Sequence, residues 1–175
     1  MVARRQARLT ERSLTEQNER VRLNLELDLL TRLGERFESP HFLKRRRAAV
    51  KYLLDNAFVE DDSLEVPPLN RAAIDVCSFY DELGELQRLG VLRAELVWNR
   101  FGVLGQAYWP LCKPAIEKMR EEDKEPTYFE DFEYLMRLIV DMNRERRVPA
   151  PTQERLRQTM EDEAVVGEEP PALTE

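Results

Sequence analysis

The sequence predicts an all-α protein, a single compact bundle of about five or six helices around one central helix, residues 69–90. Three observations predict it. Apolar residues recur at three- and four-residue spacing in one segment after another. β-branched alternation is weak throughout, and no Asn-Gly pair marks a hairpin. Only 6 glycines accompany a charged fraction of 35% in 175 residues, a composition that suits helices with salt-bridged surfaces.

The central stretch reads LNRAAIDVCSFYDELGELQRLG. Leu69, Ala72, Ala73, Val76, Cys77, Tyr80, Leu83 and Gly84 share one helical face. Phe79 and Leu86 widen it, so neighbours are expected on more than one side. Asn70 can cap the start, and Gly90 supplies the stop.

Taken in order, residues 1–20 form a polar, basic arm or helix extension. From Val21 the chain becomes amphipathic. Leu23, Leu27, Leu30 and Phe37 make one stripe, with Leu25, Leu29 and Leu33 beside it. This wide face suits packing within the chain. The first stripe is also a candidate contact surface, and a short coiled coil between two copies is the alternative.

Ser39-Pro40 then opens a helix over 40–58, with Ser as cap and Pro in the first turn, where no N–H is needed. At 100° per residue Arg46 falls in the middle of its apolar face, Lys44 and Arg45 point away, and Arg47 sits at the edge. An unpaired buried charge costs several kcal/mol, so Arg46 needs a partner.

Residues 59–68 are a polar connector closed by prolines. After the central helix a short helical piece covers 93–101, and Gly102 and Gly105 loosen the chain. A further helix covers 104–122. Pro110 and Pro114 lie inside it on the side away from the apolar face, which predicts a bend or a break near Trp109. Trp109 lies at the core edge. Thr127 and Glu130 match a capping box before the last helix, which ends near Arg146. Asn143 lies on that helix's apolar face and needs a hydrogen-bond partner. The helical domain is thus 21–146, followed by a flexible, disordered acidic tail, 147–175, in which 152–164 can form a short helix.

The formal net charge is −7, and −5 of it lies from Val148 onward, where seven acids face two arginines. Such a molecule is not a general polyanion binder. Cys77 and Cys112 sit among apolar residues and read as reduced core thiols. No apolar run reaches the roughly 18 residues that span a bilayer, and no apolar signal segment follows the basic start. These features predict a cytoplasmic protein.

Chemical motifs are sparse. His41 is the single histidine, so neither a Glu-x-x-His metal pair nor an ordinary nucleophile–histidine arrangement can be assembled without it. Glu82 with Glu85, and Glu130 with Glu133, read as solvated or capping carboxylates rather than a Mg²⁺ or Ca²⁺ site. Phosphate-binding glycine loops are missing. No catalytic, cofactor or metal residues are assigned. The favoured reading is a non-catalytic regulatory or protein-interaction module whose partner is a protein, itself or another. The rival is a nucleic-acid or anionic-surface binder using Arg4, Arg5, Arg8, Arg12 and the Lys44–Lys51 segment, against which the overall charge and the inward Arg46 argue.

Five short motifs follow one another: Phe42, Leu43, Arg46 and Arg47; Tyr80, Glu82, Leu83 and Gly84; Leu96, Val97, Phe101 and Gly102; Tyr108, Trp109, Pro110 and Pro114; Phe132, Glu133 and Leu135. In this order the chain resembles an uncharacterised prokaryotic family of small helical proteins, a domain of unknown function, over roughly residues 25–146. The resemblance implies an all-helical fold and brings no activity, cofactor or catalytic residue. Many members of that family carry one N-terminal membrane helix, where this chain has an arginine-rich arm. We further expect Arg46 or Arg47 to pair with Glu82 or Glu133, tying three helices together.

Overall fold

The computed structural model describes residues 2–57 and 66–165, with side chains from Leu14 onward. Six helices follow in order: α1 Val2–Glu38, α2 Pro40–Ala57, α3 Arg71–Arg88, α4 Ala94–Asp123, α5 Glu130–Glu145 and α6 Gln153–Val165. Among the described residues there is no strand. The chain divides into two units, Met1–Phe37 and Glu38–Glu175.

The first unit is α1, whose 37 residues make a rod of about 55 Å. It takes in residues 2–20, expected as a basic arm or helix extension.

The second unit is the bundle. Ser39 accepts the backbone N–H of Phe42 through its hydroxyl, 3.2 Å, and starts α2 as expected. Asn70 does the same for Ala73 at 2.8 Å and starts α3. Gly90 takes a left-handed φ of 70° where the chain leaves α3. α3 packs most extensively on α5, then on α2, and also meets α4; α4 touches all the other bundle helices. The predicted face of α3 is buried from Ala72 to Gly84. Around it close the fully buried rings of Phe79, Tyr80, Phe101, Tyr108 and Phe132. Tyr80 stacks on Phe132 at 4.9 Å, and Phe79 meets Phe42 at 5.3 Å and Phe101 at 5.4 Å. The Tyr80 and Tyr108 hydroxyls donate to the carbonyls of Phe101 and Arg46, both at 3.4 Å. Burial pushes both phenols well above their ordinary pKa.

Three sequence expectations are corrected. The chain does not loosen at Gly102 and Gly105, and of the bend or break expected near Trp109 the break does not occur: α4 is one helix through both glycines and both prolines. Gly105 is there for close approach, since a Cβ would sit 2.9 Å from the Tyr80 ring and 2.8 Å from the Met136 methyl. Pro110 and Pro114 are exposed, where water can reach the carbonyls that lose a donor. Secondly, Thr127 does not cap α5. It donates its hydroxyl to Glu125 instead, and Phe129, in the left-handed region at φ 53°, precedes the helix. The cap comes from α3: Asp81 accepts the N–H groups of Asp131 and Phe132. Thirdly, the short helix that 152–164 can form is present as α6, Gln153–Val165, but it does not lie in a flexible tail: it packs on α2 and α4. Met160 and Glu163 are buried there. The rest of that tail, 166–175, and most of the connector expected at 59–68 lie outside the described residues.

Candidate functional site

The cationic run of α2 is divided as its helical geometry requires. Lys44 is exposed, and Arg45 reaches Asp75 at 3.5 Å. Arg46 points inward, its side chain 5% exposed, and forms an ion pair with Glu163 of α6, itself 4% exposed. Burial pushes the Glu163 carboxyl above the usual range, while Arg46 first and Arg47 second pull it back. The expected partners were Glu82 or Glu133. Glu133 instead pairs with Arg120 of α4 at 2.8 Å, and Glu82 is half-buried on α3. The correction has a simple cause: α6 lies directly on α2 and brings a carboxylate to Arg46, whereas Arg120 is the guanidinium that faces Glu133.

Of the α1 residues proposed as a contact surface, Leu23 and Leu27 are 40% and 50% exposed. Leu30 is half-buried. Phe37 is only 6% exposed and drops out of that surface, because its ring is already covered. Leu14, Val21 and Leu25, not singled out from the sequence as contacts, are more than half exposed. Trp109 lies half-buried at the core edge, edge-on to Phe132 at 4.9 Å.

A cleft of about 580 Å³ opens where α4, the end of α5, the connector Val148–Pro151 and the start of α6 meet. Its floor is a relay of hydrogen bonds. The Trp98 indole N–H donates to Asn143 Oδ1 at 2.7 Å, Asn143 Nδ2 donates to Gln106 Oε1 at 2.8 Å, and Gln106 Nε2 donates to the Gly102 carbonyl at 3.0 Å. The Arg146 guanidinium stacks on the Trp98 ring, 4.5 Å from its centroid. Asn143 thus gets the partner its position on an apolar face demands. Apolar side chains of Val103, Val148, Pro149 and Leu156 form the walls, and Arg155 lines the α6 side.

The cleft's polar groups are amides, hydroxyls, an indole and a guanidinium. Each donates or accepts hydrogen bonds, so the arrangement can hold a polar group by direct hydrogen bonds. Sequence reasoning missed Trp98, Gln106 and Arg155, because their relation to Asn143 spans up to 45 residues of chain. The one available signal was Asn143 itself, a polar residue among apolar ones.

Among the described residues no cluster of three or more His, Cys, Asp or Glu is placed to hold a metal ion. Cys77 and Cys112 are free and buried. The Cys77 thiol is pushed well up, first by its hydrogen bond with Cys112 and then by burial. Among the described residues no helix is long and apolar enough to cross a membrane.

The fold and the cleft define an all-α protein in which the five helices α2 to α6 surround an aromatic core, and α4, α5 and α6 border an amide-floored recess. The chain belongs to the family described as Domain of unknown function (DUF4760), which it matches over residues 8–138. No curated protein and no solved structure matches the chain. The matched span takes in most of α1, all of α2 to α4 and about half of α5. The connector and α6, which wall the cleft and supply Glu163, lie beyond it.

Proposed function

We propose that this chain is a non-catalytic interaction module that pairs with a second copy of itself through α1. The observation that carries the reading is a run of twelve consecutive exposed residues, 14–25, within that long helix. Leu14, Val21, Leu23 and Leu25 lie in the run, and Leu27 follows it, each 40–65% exposed. An isolated helix is marginal in water, and most helical stability in proteins comes from packing an apolar face. A partner helix would supply that packing.

Charge favours an antiparallel second copy. The first twelve residues carry four arginines against Glu11, whereas residues 24–38 carry Glu26, Asp28, Glu35 and Glu38 against Arg32 and Arg36. Antiparallel pairing sets the basic end of one helix beside the acidic end of the other. Two free, buried thiols support a reducing compartment, the cytoplasm, as the setting.

Sedimentation equilibrium across a concentration series tests the reading. The wild-type chain should dimerise, and Leu23→Glu with Leu27→Glu should weaken dimerisation by at least about tenfold, or 1.4 kcal/mol. A chain that stays monomeric up to about 100 μM would overturn the proposal.

A further inference from the structure

The geometry points to the cleft between α4, α5 and α6 as a binding site for a small apolar carboxylic acid. Three properties combine there. The walls are apolar, and Val103, 67% exposed, and Val148, 40% exposed, stand open to water, so covering them is rewarded. The floor is preorganised: Asn143 is 7% exposed and is fixed on both sides, by Trp98 and by Gln106. Each of the two amides spends one N–H in the relay and keeps a second.

The third property is charge. In a chain with 34 acids and a net charge of −7, no Asp or Glu lines the cleft, and its charged residue is Arg155. Of the neighbouring arginines, Arg157 is held by Glu161 at 2.9 Å, Arg144 by Asp141 at 2.9 Å and Arg146 by the Trp98 ring, and Arg147 does not line the cleft. The Arg155 guanidinium has no carboxylate partner among the described residues. A guanidinium at the edge of an apolar recess recognises a carboxylate by paired N–H donors, and the ligand's carbon body then lies against valine and proline. A single cation suits a monoanion. A polyphosphate would require several. The volume, about 580 Å³, is within the range of small-molecule sites.

Nitrogen–proton correlation NMR on the full chain, titrated with sodium octanoate, tests this site. The Trp98 indole N–H and the side-chain amides of Asn143 and Gln106 should shift together and saturate. Neutral octanamide should bind at least about tenfold more weakly, and Arg155→Gln should cost octanoate a similar factor while leaving the rest of the spectrum in place. Val103→Glu, which sets a carboxylate at the mouth, should weaken octanoate comparably. Shifts confined to the exposed leucines of α1 would overturn the proposal. So would equal affinity for acid and amide, unchanged binding by Arg155→Gln, or no shift up to millimolar octanoate. None of these outcomes depends on whether the chain dimerises through α1, which the sedimentation experiment decides separately.

Discussion

The carboxylate of Asp81, in the middle of α3, accepts the backbone N–H of Phe132 at 2.9 Å and that of Asp131 at 3.0 Å. One side chain therefore caps a helix fifty residues further along the chain and fixes how α5 lies on the central helix. Helix caps contribute about 0.5–2 kcal/mol. Asp81→Ala should destabilise by about 1–2 kcal/mol, and Asp81→Asn, which keeps one acceptor, by less. Urea melts of the two variants check the order.

The close approach at the same junction gives a sharper contrast. A Cβ at Gly84 would lie 2.6 Å from the Asp131 carbonyl carbon, and closer still to its oxygen, whereas one at Gly102 meets nothing nearer than 3.7 Å. Gly84→Ala must push α5 off α3 and should destabilise by about 1–3 kcal/mol or more. Gly102→Ala should be neutral, or stabilising by up to about 1 kcal/mol, through helix propensity. Thermal melts of both variants decide it; equal melting temperatures would refute the packing argument.

Arg46 and Glu163 are both nearly inaccessible. Removing one partner strands the other, so Arg46→Ala and Glu163→Ala should each destabilise by about 3–5 kcal/mol, while Arg46→Met with Glu163→Met should fall well below the sum. The pH dependence follows from the raised Glu163 pKa. The native state holds this proton more tightly than the unfolded chain does. The contribution of this group to stability is therefore fully present below its ordinary value of 4.5, and it declines as the pH rises through the native value. Glu163→Gln should flatten that decline in denaturant melts run from pH 4 upward.

The Trp98–Asn143–Gln106 relay should behave as one unit. Asn143→Leu keeps volume but leaves the indole N–H without its acceptor, at a cost of about 1–3 kcal/mol. Adding Trp98→Phe should recover part of the loss, because the stranded donor is then gone. A double-mutant cycle measures the coupling, and strictly additive losses would show that the relay does not act as a unit.

Periodicity made much of the bundle legible. The faces of α2, α3 and α5, the inward turn of Arg46 and the caps at Ser39 and Asn70 all follow from neighbours within one or two turns. What was not legible is what two distant segments do together. Gly105 reads as a loosening residue in isolation and proves to be the seat of Tyr80. Thr127 and Glu130 have the spacing of a capping box, yet Asp81 outcompetes Thr127 from another helix. The partner of Arg46 is not legible, because 147–175 is acidic and reads as a solvated tail, which leaves Glu82 and Glu133 of the bundle as the visible candidates. The short apolar signal of α6, with Met160 at its centre, was too weak to reveal that it docks. The cleft is harder still, since four segments build it and only Asn143 betrays a polar need.

The seating of Met160 and Glu163 also sets how far a recombinant chain must run. A clone stopped where the family match ends, at residue 138, would sever α5 before Ile139, Met142 and Asn143 and would strip α6 from Arg46. Such a fragment would carry a bared arginine and half an interior wall, and its insolubility would say nothing about biology. The shortest piece worth expressing extends through Val165.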